Sequence, residues 1–173
     1  MDHHDERPDL DHRILSALHA RGTAPRVATA ARALSLAGEH GALWLAAGLA
    51  GAAVDRERRG AWLRGTALTA GAHLASMGVK RLVRRPRPGH VVPLVRTAGR
   101  HSFPSSHATS AAAAAVAFGV LGAPVVPPLA VAMCLSRLVV GVHYPSDVAA
   151  GAALGAVTAG LGARWMTGGR DHG

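Results

Sequence analysis

The chain has 173 residues, of which 49% are apolar and only 3% aromatic, with 21 glycines and a single cysteine. That size and balance fit one domain and exclude a disordered tail, a collagen and a disulfide-stapled scaffold. Nineteen basic against ten acidic residues give a net charge of +9, carried by eighteen arginines and one lysine, Lys80, so nucleic acid, anionic lipid and phosphorylated substrates all stay open as partners.

In chain order, residues 1–9 are acidic and His-rich without an apolar run, so no cleavable signal peptide is expected and the segment reads as a flexible tail. Residues 10–36 mix Arg13, Arg21, Arg26 and Arg32 with Ile14, Leu15 and Leu18. The helical spacing breaks around Gly22 and Pro25, which predicts two short amphipathic helices lying in a membrane interface, with a solvated basic arm as the alternative. Residues 37–166 then concentrate charge in a few places and leave long stretches without any, the pattern of a membrane-embedded domain.

Five apolar segments follow. Gly41–Val54, run back to Leu34 through Glu39 and His40, would make a helix of about 21 residues, or about 31 Å. Ala61–Val79 contains only Arg64 near one end and His73 within. Ala108–Ala123 and Val148–Ala163 carry no charge, and Pro128–Val142 is interrupted by Arg137. The expected fold is therefore all-α, a multi-pass transmembrane helical bundle of about five spans, with Gly151 and Gly155 at a spacing that lets helices approach closely. A soluble Ala-rich helical domain is the alternative, and its weakness is the shortage of polar helix faces. Residues 167–173 read as a second flexible tail.

Polar chemistry collects in two connectors. Lys80–His107 holds Lys80, Arg81, Arg84, Arg85, Arg87, Arg96 and Arg100 with no acidic residue, so an external anion is the natural counter-charge. It ends in Phe103-Pro104-Ser105-Ser106-His107, where a helix opening would aim free N–H groups and its positive end at a phosphate; the plainer alternative is that Ser105 or Ser106 caps the helix. The second connector runs from Ser136-Arg137 to His143 and Asp147. An arginine in an apolar helix should face a cavity and an anion, and a carboxylate four residues after a histidine can hold one imidazole nitrogen and leave the other oriented for attack.

These residues resemble the type 2 phosphatidic acid phosphatase superfamily, whose relatives include vanadium haloperoxidases. Three motifs carry the resemblance: Lys80 with Arg87-Pro88, Pro104-Ser105-Ser106-His107, and Ser136-Arg137 with His143 and Asp147. The resemblance implies that Lys80, Arg87 and Arg137 clamp phosphate oxygens, that Ser105 and the Ser106 amide add hydrogen bonds, that His143 attacks phosphorus, that His107 protonates the leaving alkoxide, and that Asp147 orients His143. Ser106 stands where the family usually has glycine; serine keeps the backbone N–H, so function is threatened only where positive φ or extra room is required.

The resemblance implies a metal-independent phosphatase without a cofactor, acting on a lipid or polyprenyl phosphate through a phosphohistidine. Phrases around Ser106 and from Leu135 to Gly151 look like a small actinobacterial branch acting on decaprenylphosphoryl-5-phosphoribose in cell-wall arabinan precursor synthesis. Undecaprenyl pyrophosphate and phosphatidic acid stay open as substrates. The expected setting is a bacterial plasma membrane, with membrane lipids and the lipid phosphate as partners and no nucleic acid; the facing of the site and the oligomeric state are left open. No histidines sit at metal-ligand spacing with carboxylates. His3, His4, His12, His19 and His172 read as solvated, whereas His73 within a span needs a partner, such as Glu39 or His40. Two other classes compete: a basic nucleic-acid binder, poorly served by six aromatic residues, and a membrane scaffold or transporter in which the motif residues are idle.

Overall fold

A computed structural model describes residues 9–97 and 99–168. These residues form seven α-helices: α1 (Leu10–Gly22), α2 (Pro25–Ala37), α3 (Ala42–Val54), α4 (Arg59–Val83), α5 (Ser106–Gly119), α6 (Val126–Val139) and α7 (Pro145–Thr167), with a 3₁₀ turn at Glu39–Gly41 between α2 and α3. The two expected tails lie outside the described residues except at their inner ends. There Asp9 is the N-cap of α1, accepting the His12 N–H at 2.9 Å, and Thr167 closes α7.

Local chemistry accounts for most helix boundaries. Pro25 and Pro145 open α2 and α7 at positions where a missing N–H costs nothing, and Ser105 caps α5. The Arg84 backbone, at φ 52°, ends α4 in the left-handed region. One expectation fails: no helix runs from Leu34 to Val54. His40 (φ 54°) and Gly41 (φ 74°) both take left-handed backbone, which turns the chain between α2 and α3 and brings Glu39 and His40 into the 3₁₀ turn rather than a span.

The other four apolar segments each become a helix, slightly shifted. Among the described helices only α7 is long and apolar enough to cross a membrane by length and composition. Helices α3, α5 and α6 have 13, 14 and 14 residues, about 20 Å each against a hydrocarbon core of about 30 Å. The expected count of about five crossings therefore does not follow from helix length alone.

Helix α5 occupies the centre. Its Ala108, Ala111, Ala113, Ala114 and Ala117 are all buried, and small side chains let α7 lie directly against it: a Cβ placed on Gly151 would stand 2.5 Å from the Ser105 carbonyl oxygen, and one on Gly155 would overlap the Thr109 carbonyl. Trp44, Trp62, Phe118, Met133 and Met166 fill the rest of the core. Outward, Leu49, Leu74, Val131 and Leu161 remain exposed on α3, α4, α6 and α7, an apolar periphery that water would penalise. The C-terminal parts of α2, α4 and α6, the N-terminal end of α5, the 3₁₀ turn, the α4–α5 loop and the link before α7 meet around one cavity.

Candidate active site

The cavity has a volume of about 710 Å³ and is lined by Lys80, Arg87, Ser106, His107, Arg137 and His143, six of the eight residues that the three motifs nominate. Residues far apart in sequence thus converge because each motif sits at a helix end: Lys80 in the last turn of α4, Ser106 and His107 in the first turn of α5, Arg137 in the last turn of α6, and His143 in the tight link to α7. First-turn amides lack partners within their own helix, so the opening of α5 presents N–H groups and a positive dipole end to the cavity.

His143 and Arg137 form its buried floor, each only 2% exposed. Arg87 holds the rim of that floor. Its Nη1 donates to the Val142 carbonyl at 2.8 Å and approaches His143 Nε2 at 3.5 Å, while its Nε donates to the Gly99 carbonyl at 2.8 Å. Burial pushes the His143 imidazole down from 6.5 to about 3; Asp147 opposes the fall, and Arg137, Arg87 and Lys80 add to it. The resting ring is therefore neutral, the form that has a lone pair to give.

Asp147 lies behind His143 rather than on the cavity. Its Oδ2 stands 3.7 Å from His143 Nδ1, longer than a hydrogen bond, and accepts the Tyr144 N–H at 2.8 Å. His143 Nδ1 has no other partner among the described residues. Ser105 is the second residue set back. It is fully buried, its Oγ faces the Ala108 N–H at 3.5 Å as the α5 cap, and its own N–H donates to the Asp147 carbonyl at 3.0 Å. In this structure the Ser105 hydroxyl faces the helix end, while Ser106 lines the cavity. Ser106 has ordinary helical backbone, since the non-glycine residues with positive φ are His40 and Arg84, so the missing glycine imposes no strain here.

Several participants were not legible in the motifs. Ser35 of α2 accepts Arg137 Nη1 on its Oγ at 2.6 Å and His107 Nε2 on its carbonyl at 3.1 Å, fixing the proton of that imidazole on Nε2. Arg85 donates to Asp147 Oδ1 at 3.0 Å and to Asp11 Oδ2 at 2.9 Å, and its guanidinium lies 4.1 Å over the Tyr144 ring. Asp11 of α1 also accepts the Ser146 N–H at 2.9 Å and the Ser146 hydroxyl. Arg85 was visible only as one member of a basic run, and no local pattern links Asp11 or Ser35 to it.

The remaining histidines divide differently than expected. His12 packs on His90, with ring centroids 4.3 Å apart, and bonds Asp9, while His19 donates from Nδ1 to the Val139 carbonyl at 2.9 Å. Both belong to the seam between α1 and the bundle and are not simply solvated. His73 lines the cavity together with Glu39 and His40. Among the described residues no three His, Cys, Asp or Glu side chains cluster as metal ligands.

Comparison with known proteins converges on this arrangement. The PAP2 superfamily model matches residues 61–170. The chain is 49% identical over 130 residues to a decaprenylphosphoryl-5-phosphoribose phosphatase of Mycolicibacterium smegmatis, covering 73% of this chain and 72% of that protein. Its fold is similar to the transmembrane PAP2-type phosphatidylglycerolphosphate phosphatase of Bacillus subtilis (TM-score 0.64, 22% identity, 94% of this chain and 96% of that one). It is similar also to Aquifex aeolicus LpxE (TM-score 0.72, 18% identity, 92% and 98%).

Proposed function

The chain belongs to the PAP2 superfamily and is a lipid phosphate phosphatase, and from that premise we propose that it removes the terminal phosphate of decaprenylphosphoryl-5-phosphoribose through a phosphohistidine on His143. The observation that supports this most is the convergence of three cationic side chains, two imidazoles and a helix N-terminus on one cavity. The substrate assignment draws on the 49% identity to a phosphatase of that name.

In this reading Lys80, Arg87, Arg137 and the Ser106 amide hold the three non-bridging oxygens, concentrating positive charge where the transferring phosphoryl group spreads its negative charge. The neutral Nε2 of His143 attacks phosphorus in line with the departing ribose oxygen. The P–O bond breaks as the P–N bond forms, and His107, which takes up a proton once the bound phosphate dianion offsets the neighbouring arginines, supplies the proton that the leaving alkoxide needs. Water then attacks the phosphohistidine, with His107 accepting its proton, and inorganic phosphate leaves. Asp147 stabilises the imidazolium character that His143 gains.

We place α3 to α7 across a bacterial inner membrane, with α1 and α2 along the interface. The apolar periphery of Leu49, Leu74, Val131 and Leu161 supports this. The cavity then opens at headgroup level, where a phosphorylated head can enter while its prenyl chain stays in lipid.

The test is hydrolysis by the purified protein in nonionic detergent, comparing decaprenylphosphoryl-5-phosphoribose with phosphatidic acid and undecaprenyl pyrophosphate. The first should give the highest kcat/KM. Rapid quenching should trap an acid-labile phosphoenzyme, and a folded His143→Ala protein should give none. Equal rates on all three lipids would refute the substrate, and near-normal turnover by His143→Ala would refute the mechanism.

A further inference from the structure

The cavity carries more positive charge than a single phosphomonoester calls for. Three cations surround the floor, and two more, Arg32 of α2 and Arg96 of the α4–α5 loop, line the same cavity but are exposed, which puts them at its mouth. Neither has a carboxylate within ion-pair distance among the described residues; the arginines that do are Arg58 and Arg85. Arg32 Nε donates to the Leu94 carbonyl at 3.2 Å, and the Leu94 N–H donates to the Val140 carbonyl at 2.9 Å. This pair of bonds ties α2 and the loop to the end of α6 and fixes the Arg32 side chain on the loop segment that carries Arg96 two residues on. No acceptor among the described residues engages the terminal nitrogens of Arg32 or any side-chain nitrogen of Arg96.

We propose that Arg32 and Arg96 form a second anion subsite, which binds the phosphodiester of a substrate carrying two phosphates and selects it over lipid monophosphates. This rests on the substrate assigned above. That molecule has a phosphomonoester at one end of a ribose and a prenyl phosphodiester at the other, so placing the monoester on the floor points the diester toward the mouth. The signs are complementary at both ends: three cations face a dianion and two face a monoanion, with Glu39 the one carboxylate lining the same cavity among the described residues. Glu39 and Thr97, which line the same cavity, offer hydrogen-bonding groups suited to sugar hydroxyls. Beside the rim Leu36, 69% exposed, and Met77, 37% exposed, continue the wall as an apolar surface on which the first prenyl units can lie.

The same phosphodiester chemistry is present in neighbouring phospholipids, so the assay is run in nonionic detergent without added phospholipid. The readout is the ratio of kcat/KM for decaprenylphosphoryl-5-phosphoribose over phosphatidic acid, in the parent and in Arg32→Gln/Arg96→Gln. Glutamine retains polarity at these exposed positions, and thermal unfolding confirms that the variant folds. The ratio should fall by about tenfold or more, because charge-assisted contacts are lost only where a second phosphate exists. As soluble probes, ribose 1,5-bisphosphate should inhibit the parent more strongly than ribose 5-phosphate, and the variant should treat the two alike. An unchanged ratio, or equal losses on both lipids as expected of general attraction to anionic surfaces, overturns the subsite. A parent with no preference for the bisphosphorylated lipid overturns the substrate assignment itself; a parent whose preference survives in the variant overturns only the role of Arg32 and Arg96.

Discussion

Replacing Arg85 by alanine separates positioning from contact with substrate, because Arg85 does not line the cavity yet grips the carboxylate behind His143, the proposed nucleophile. The change deletes the bond to fully buried Asp147 at 3.0 Å, the bond to Asp11 at 2.9 Å, the bond to Ser146 Oγ at 2.7 Å and the stacking on Tyr144. Breaking a wholly buried pair costs about 3–5 kcal/mol, but the Arg85 side chain is 28% exposed and Asp147 keeps the Tyr144 N–H. Solvent screening brings the expected loss of stability to about 2 kcal/mol. With one carboxylate oxygen released, Asp147 can rotate, and the negative charge 3.7 Å from His143 Nδ1 loses its fixed placement. We expect kcat to fall about 10- to 100-fold, or about 1.4–2.7 kcal/mol of transition-state stabilisation, with KM within about twofold because no substrate contact is lost. Arg85→Lys should recover part of kcat, since one ion pair can re-form, but not the simultaneous grip on Asp11 and Asp147. The assay is steady-state phosphate release beside thermal unfolding in the same detergent. An Arg85→Ala protein with unchanged kcat and unchanged unfolding temperature, or one whose whole defect lies in KM, would refute the reasoning.

Arg137→Lys keeps charge but removes the planar fork that spans Ser35 and the cavity, so kcat and kcat/KM should drop together by about tenfold or more in steady-state assays. Gly155→Ala should destabilise by about 1–3 kcal/mol or more through overpacking against the Thr109 backbone, whereas Gly71→Ala, with open space at its Cβ position, should be neutral or stabilising; thermal unfolding compares the two. His143 sits at about 3 against an ordinary 6.5, so below about 6.5 the unfolded chain binds a proton that the folded site refuses, and stability falls as pH drops. At pH 5 this group should cost about 2 kcal/mol relative to neutral pH. His143→Gln should flatten that dependence in unfolding measurements between pH 7.5 and 5, and an unchanged slope would place the loss elsewhere.

The candidate site was legible locally. Lys80, Arg87, His107, Arg137 and His143, the residues proposed for phosphoryl transfer, stand in three short motifs that resemble a known family, and the cavity gathers all five. The break at Gly22 and Pro25 was legible too, as a local backbone preference. The turn at His40 and Gly41 was not, since a histidine in left-handed backbone is set by what surrounds it and not by its own propensity. Ser105 shows the limit more sharply: a serine in this motif can cap a helix or reach a ligand, and only the fold shows that it caps α5 while its own N–H reaches the Asp147 carbonyl. Asp11, Ser35 and Arg85 could not be placed from sequence at all. Arg85 meets Asp11 across 74 residues and Ser35 meets Arg137 across 102, and such pairings exist only once α1 and α2 have docked on the bundle. Motifs specify which groups do the chemistry because reactivity is a property of side chains; which groups hold them still is a property of distance, and distance belongs to the fold.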